Sequence, residues 1–187
     1  MGVEERIPNL NAEIVKQIEQ ALGEVVEPQE LFDYIYAVLH SPSYRECYKE
    51  FLKIDFPRIP YPVLSEHYHL LAGKGAELRR LHLMDGLPSK TGITFPVAGT
   101  MQVDCYRWEV NRVYINSEQY FEGVSGSAWQ QYIGGYQPAQ KWLKDRKGRP
   151  LSFDDVKHYG RIVYVLRQTE RLMDEIDGTI NERNQKR

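Results

Sequence analysis

Residues 132–149, YIGGYQPAQKWLKDRKGR, set Tyr132, Tyr136 and Trp142 beside Lys141, Lys144, Arg146, Lys147 and Arg149. Lysine and arginine at this density contact phosphates, and Gly134 and Gly135 let backbone amides approach a ligand closely. The same spacing has a second reading, in which Trp142 and Leu143 dock in a core and the basic side chains solvate a helix end. The chain as a whole carries a formal net charge of −2, so any nucleic-acid contact must be local.

Catalytic patterns are weaker. Lys90-Thr91-Gly92 matches a K-T-G triplet, but no serine has a lysine three residues later to act as the nucleophile's partner. GLPSKTG lacks the spacing of a phosphate-binding loop, and GGY is not G-x-G-x-x-G. On a helix His67 and His69 point about 200° apart, too far to share a metal; in a strand they could share a zinc, and the plainer reading is a pair of surface or boundary histidines. Asp154 and Asp155 with Lys157 resemble part of a nuclease motif, yet acids at a helix start complement its dipole. Cys47 and Cys105 have no C-x-x-C spacing and read as buried thiols of a reducing cytoplasm. The expectation is a chain with no catalytic residue, metal or cofactor of its own.

The elements that must position these residues follow from periodicity. A composition of 42% hydrophobic and 27% charged residues over 187 positions fits an ordinary globular fold. No stretch approaches the roughly 20 apolar residues of a membrane span, and no basic start precedes an apolar leader, so a cytoplasmic chain is expected. Helices are predicted over Asn11–Leu22, from Pro28 with a stripe at Leu31, Ile35 and Leu39, and after Ser41-Pro42 with Tyr44, Tyr48, Phe51 and Leu52 inward. KIDFPRIPYP reads as an ordered extended strap held by Ile54, Phe56, Ile59 and Tyr61. Ser65–Met84 is predicted helical with an interruption near AGKGAE. A small, mostly antiparallel sheet is expected across 92–116, with Val110-Asn111 as a hairpin turn. Helices then return around 127–133 and 138–144, followed by a long one capped by Ser152 and Asp155 and fraying beyond Asp177. The order of helices, sheet and helices predicts an α+β fold, helical segments flanking the sheet.

Two stretches carry a more specific signal. DYIYAVLHSPSYRECYKEFLKIDFPRIPYP (33–62) and RVYINSEQYFEGVSGSAWQQYIGGYQPAQKWLKDRKGRPLSFDDVKHYGRIVYVLRQTERLMDEID (112–177) resemble the C-terminal specificity region of type ISP restriction-modification enzymes and related adenine-specific DNA methyltransferases. The resemblance implies a DNA target recognition domain over 63–177, led into by a helical segment and strap at 1–62 and trailed by 178–187. It also implies double-stranded DNA as partner, together with methyltransferase, helicase and nuclease domains of a parent polypeptide. S-adenosylmethionine, ATP and Mg would belong to those domains, since N-P-P-[YF] does not occur here.

A motif shared by enzymes that read different sites cannot distinguish those sites. The basic run therefore fits framework and phosphate contact, and base reading is expected in the least family-like stretch, 63–111, and its border. Arg79, Arg80, Lys90, Thr91, Gln102, Asp104, Arg107, Glu109, Asn111 and Arg112 supply the chemistry: arginine or lysine for guanine, asparagine or glutamine for adenine, carboxylates for cytosine. Two other readings stand beside this one. The chain could couple partner domains through its aromatic helices without reading bases, or Asp154 and Asp155 could belong to a nuclease.

Overall fold

A computed structural model describes residues 8–185, with side chains to residue 181. In chain order the elements are α1 (Ala12–Leu22), α2 (Pro28–His40), α3 (Pro42–Cys47), α4 (Ser65–His82), β1 (Arg107–Glu109), β2 (Arg112–Tyr114), β3 (Tyr120–Glu122), α5 (Gly126–Gln130), α6 (Pro138–Lys144) and α7 (Phe153–Gln185). This is an α+β chain, as its sequence order implies. It divides into two units, one of Met1–Arg80 with Leu172–Arg187, the other of Leu81–Arg171. Among the described residues no helix is long and apolar enough to cross a membrane.

The first unit is helical, and its helix ends follow local chemistry. The Asn11 carboxamide accepts from the Glu13 and Ile14 amides, and Gly23 closes α1 at a left-handed φ of 75°. Pro28 opens α2 and Pro42 opens α3, each where its missing N–H costs nothing. The buried face of α2 is Leu31, Tyr34, Ala37 and Val38, one step round from the predicted Leu31-Ile35-Leu39 stripe. Apolar residues nearly encircle this helix, so spacing alone underdetermines its inner side.

α4 runs unbroken through AGKGAE, correcting the expected interruption. Gly75 explains the glycine there: a Cβ would lie 1.8 Å from the Asp33 carbonyl oxygen of α2, so only glycine permits this approach. The last turns of α7 bury Leu172, Ile176 and Thr179. The Asp177 carboxylate accepts hydrogen bonds from the Ser41 and Ser43 hydroxyls and from the Ser43 amide at 3.1 Å, fastening the start of α3. The helix therefore continues past Asp177, where the sequence suggested fraying.

The strap is held by tyrosine hydroxyls: Tyr34 donates to the Pro60 carbonyl at 2.9 Å and Tyr44 to that of Arg58 at 3.0 Å. Ile54 and Phe56, expected to anchor it, are 84% and 87% exposed, and Tyr48 also faces outward. Cys47 is exposed and Cys105 half-buried, so neither is the buried thiol expected.

In the second unit the three strands pair antiparallel in the order β1-β2-β3. Val110 and Asn111 take φ of 43° and 62°, the left-handed pair of a two-residue hairpin turn. The sheet occupies 107–122 rather than 92–116. Upstream, only Thr94 and Gln102 form isolated bridges, to Glu122 and Pro150, and Pro96 has no N–H to give a ladder.

Two buried amides replace that ladder. Asn116 accepts from the Gln119 amide at 2.7 Å and donates to the Gln102 carbonyl at 3.0 Å. The Gln119 side chain accepts from the Met101 amide at 2.7 Å and donates to the Val97 carbonyl at 2.9 Å. Gly99 packs against it: a Cβ there would meet Gln119 Cδ at 2.8 Å and push the hydrogen-bonded carboxamide aside. Beneath the sheet Val113 and Phe121 join Val103, Ile115, Leu143, Tyr159 and Val163 in one buried core. Ser152 and Asp155 open α7 with a reciprocal cap, the Asp155 amide donating to Ser152 Oγ at 3.1 Å and the Ser152 amide to Asp155 Oδ2 at 3.0 Å.

Two stability measurements test this account. Gln119→Leu strands the Met101 amide and the Val97 carbonyl, and is expected to lower the unfolding free energy by about 2–4 kcal/mol in urea titration. His69 sits between Glu30 at 2.6 Å and Glu24 at 3.0 Å. Its pKa is raised, chiefly by the hydrogen bond to Glu30, so its stabilisation is complete below about pH 6.5 and is lost as pH rises through the raised value. Glu24, lowered by Ser65 and then by His69, contributes in the opposite sense and is lost in acid. Melting curves across this range should fall on the alkaline side for the wild type and be flatter there for His69→Asn.

Candidate nucleic-acid interface

Alternation along the strands sorts their residues onto two faces. Trp108, Val113 and Phe121 point inward, and Trp108 Nε1 donates to the Val124 carbonyl at 2.8 Å. Arg107, Glu109, Arg112, Tyr114, Tyr120 and Glu122 make up the other face, none of them fully buried.

Cross-strand register places Arg107 opposite Tyr114, Glu109 opposite Arg112, Arg112 opposite Glu122 and Tyr114 opposite Tyr120. The Arg107 guanidinium lies over the Tyr114 ring at 4.5 Å and that of Arg112 over Tyr120 at 4.5 Å. The two tyrosine rings are 5.1 Å apart. Each arginine is also tied to a carboxylate, Arg107 to Glu109 at 2.7 Å and Arg112 to Glu122 at 2.9 Å. The Glu122 hydrogen bond holds the Arg112 pKa above its ordinary value. The result is an ordered lattice of cations, rings and carboxylates on an uncovered surface. A shallow groove lined by Glu109, Val110, Asn111, Arg112, Tyr114 and Glu122 continues to the hairpin tip, where Val110 is 85% exposed.

Four sequence-derived base-contact candidates, Arg107, Glu109, Asn111 and Arg112, thus gather on one hairpin. The others lie elsewhere. Arg79 belongs to the helical unit, where Nε and Nη2 donate to the Asp33 carboxylate at 2.7 and 3.1 Å, and Asp33 is buried. Arg80 is exposed at the end of that unit. Lys90 is exposed; the Thr91 carbonyl accepts from Arg167 at 3.1 Å. Gln102 spends its carbonyl on Asn116, and the exposed Asp104 is fixed through its amide to Ile115. Tyr114, Tyr120 and Glu122 were missed as site residues, although their i, i+2 spacing with Arg112 and with each other was a legible signal.

The basic run is divided in the same way. Leu143 is fully buried and Trp142 packs at 5.2 Å on Tyr159, so the framework reading holds for these two. Arg146 stacks 3.5 Å over Trp142 and pairs with Asp155 at 3.1 Å, while Lys141 pairs with Asp145. Lys144, Lys147 and Arg149 are exposed and enter no ion pair among the described residues. The Arg149 carbonyl accepts from the Val103 amide at 3.1 Å, which ties this turn to the extended segment leading into β1. Gly134 and Gly135 form an exposed turn with Gly134 at a φ of 61°.

The acids at the start of α7 are engaged or solvated. The Asp155 carboxyl is held below its usual range by the Ser152 amide, then by the Ser152 hydroxyl and Arg146. Asp154 is 97% exposed and 4.0 Å from Lys157. The cleft they border is otherwise lined by Arg146, Ser152, Lys157, His158 and Arg161, with no further carboxylate. Among the described residues no three His, Cys, Asp or Glu side chains gather as a metal site.

Comparison with known proteins gives a consistent picture. The model of the type ISP C-terminal specificity domain family matches residues 2–175. The fold is similar to part of the ATP-dependent type ISP restriction-modification enzyme LlaBIII bound to DNA, with 19% identity and a TM-score of 0.68 over 89% of this chain and 12% of that one. It is similar to part of DrdV in a cryo-EM complex with DNA, with 20% identity and a TM-score of 0.73 over 91% of this chain and 20% of that one. A nuclease-deletion mutant of the type ISP enzyme LlaGI, in complex with a DNA substrate mimic, aligns at 20% identity and a TM-score of 0.62 over 81% of this chain and 14% of that one. At these identities the likeness is one of fold, and the chain spans no more than 20% of the length of the proteins it resembles. A search of curated proteins finds no match.

The placement of Arg79 is open to measurement. Arg79→Ala leaves Asp33 buried without its partner and is expected to cost about 2–4 kcal/mol in urea denaturation, the solvent-exposed side of the guanidinium moderating the loss. Restoration by Asp33→Asn in the double variant would identify the pair as structural.

Proposed function

Because this chain belongs to the type ISP C-terminal specificity domain family, we propose that it reads a short DNA sequence on behalf of a larger enzyme of which it is one part. Family membership over residues 2–175 is the observation that carries this reading. The sheet surface supports it with alternating donors and acceptors suited to base edges, and exposed Lys144, Lys147 and Arg149 are suited to phosphates.

In this reading the chain performs no chemistry. Methylation, translocation and cleavage belong to other domains of the parent polypeptide, along with S-adenosylmethionine, ATP and Mg. Two solved relatives are complexes with DNA and a third is in complex with a DNA substrate mimic, and each is several times longer than this chain.

A second reading rests on a separate observation. Val25, Ile54 and Phe56 are between 81% and 87% exposed on the helical unit, as surfaces that dock another protein domain often are. On that reading the chain couples its partners and reads nothing.

Binding of the purified chain to a pool of random duplexes at low salt, followed by sequencing of the retained fraction, separates the two. Enrichment of an asymmetric motif above a non-specific background of about 10⁻⁴ to 10⁻⁶ M is the expected result. Retention without enrichment, or none at all, would overturn base reading and favour coupling.

A further inference from the structure

We infer that Arg107 and Glu109 act together as the reader of a single G·C base pair in the major groove, with the rest of the outer sheet face holding them in place. This rests on the DNA-reading function proposed above and names the chemistry of that site.

Three observations lead there. First, the face is not a stacking platform: Tyr114 and Tyr120 each already carry a guanidinium, at 4.5 Å in both cases, so these ring faces are occupied. An unpaired base seeking an aromatic surface would have to displace an arginine. Second, Arg107 and Arg112 are balanced by Glu109 and Glu122, making the face formally neutral. A neutral surface draws little from phosphate attraction, but donors alternating with acceptors match the edge of a G·C pair, where guanine O6 and N7 accept and cytosine N4 donates.

Third, the hydrogen-bond accounting leaves the right groups over. Arg107 uses Nη1 for Glu109 Oε1 at 2.7 Å, leaving Nε–H and the Nη2 hydrogens on the opposite, side-on edge of the guanidinium. That edge presents two parallel N–H groups, the geometry of a bidentate contact to O6 and N7. The second carboxylate oxygen of Glu109 remains to accept from cytosine N4. Arg107 and Glu109 are half-exposed, at 50% and 55%, and sit on β1, which pairs with β2 on one side only. Arg112 is differently placed, spending both Nε and Nη2 on Glu122 at 3.2 and 2.9 Å. It is a positioning residue, bracing the tyrosine row on which Arg107 lies.

The test uses the full chain and the random duplex pool, comparing wild type with Arg107→Lys, Arg107→Ala and Glu109→Ala. All three changes lie on an exposed face, and thermal melts alongside the binding assays identify any variant that fails to fold. The wild-type motif should contain a G·C pair whose preference over the other three pairs falls about five- to 150-fold in both Arg107 variants, with the remaining positions unchanged. Lysine keeps the charge but loses the fork, so its failure to rescue distinguishes base reading from charge alone. Glu109→Ala should weaken discrimination at that same position.

Other outcomes overturn the inference in distinguishable ways. If Arg107→Ala weakens binding to all sequences equally and reduces the salt slope by about one, the arginine contacts phosphate. If the motif survives all three substitutions, reading occurs elsewhere on the chain and the proposed function stands without this pair. If the wild type enriches no motif, the function itself fails and the inference falls with it.

Discussion

A pair of buried carboxamides, Asn116 and Gln119, is the interaction on which the sheet unit depends. Between them they satisfy backbone groups of Val97, Met101, Gln102 and Gln119 itself, over a segment whose proline and glycine prevent it from joining the ladder. Their position immediately after β2 ties the loop to the turn that sends the chain into β3. Buried amides cost free energy when unpaired, so a network with these groups satisfied favours one arrangement over slipped alternatives. The outer sheet face is therefore short in strands yet fixed in register.

The two units put identical residue types to opposite uses. In the helical unit Arg79 closes on a buried aspartate, and its donors serve the packing of α4 against α2. In the sheet unit Arg107 and Arg112 lie flat on tyrosines at the surface, aimed by glutamates that are themselves solvated. Burial of the carboxylate is what separates these cases. A guanidinium facing a desolvated anion serves the fold, whereas one facing a hydrated anion retains the capacity to exchange partners.

Much of the architecture was legible because the signals were local. Pro28, Pro42 and Pro138 open helices where expected, Asn11 and Gly23 bound the first, and Ser152 and Asp155 cap the last. Val110-Asn111 was recognisable as a turn from its place between two alternating segments, although a β-branched residue at φ 43° is an unusual choice. What escaped was decided by tertiary contact. β3 is only three residues long and is defined by pairing with β2. α4 persists through its glycines because one of them fills a close crossing with α2. The outer sheet face was read as a scatter of polar candidates; only cross-strand register brings Arg107 onto Tyr114 and Arg112 onto Tyr120.

The division of the chain also bears on how the sheet unit could be exchanged. The sheet unit is contiguous from Leu81 to Arg171, whereas the helical unit is assembled from the two flanking segments. Both junctions fall inside helices: the first near the end of α4, which runs to His82, and the second midway along α7. A recombinant replacing the sheet unit would thus be spliced through continuous helical backbone, where each inserted or deleted residue rotates the following residues of that helix by about 100°. The α7 junction is the sensitive one: a one-residue error there would turn the buried side formed by Leu172, Ile176 and Thr179 toward solvent.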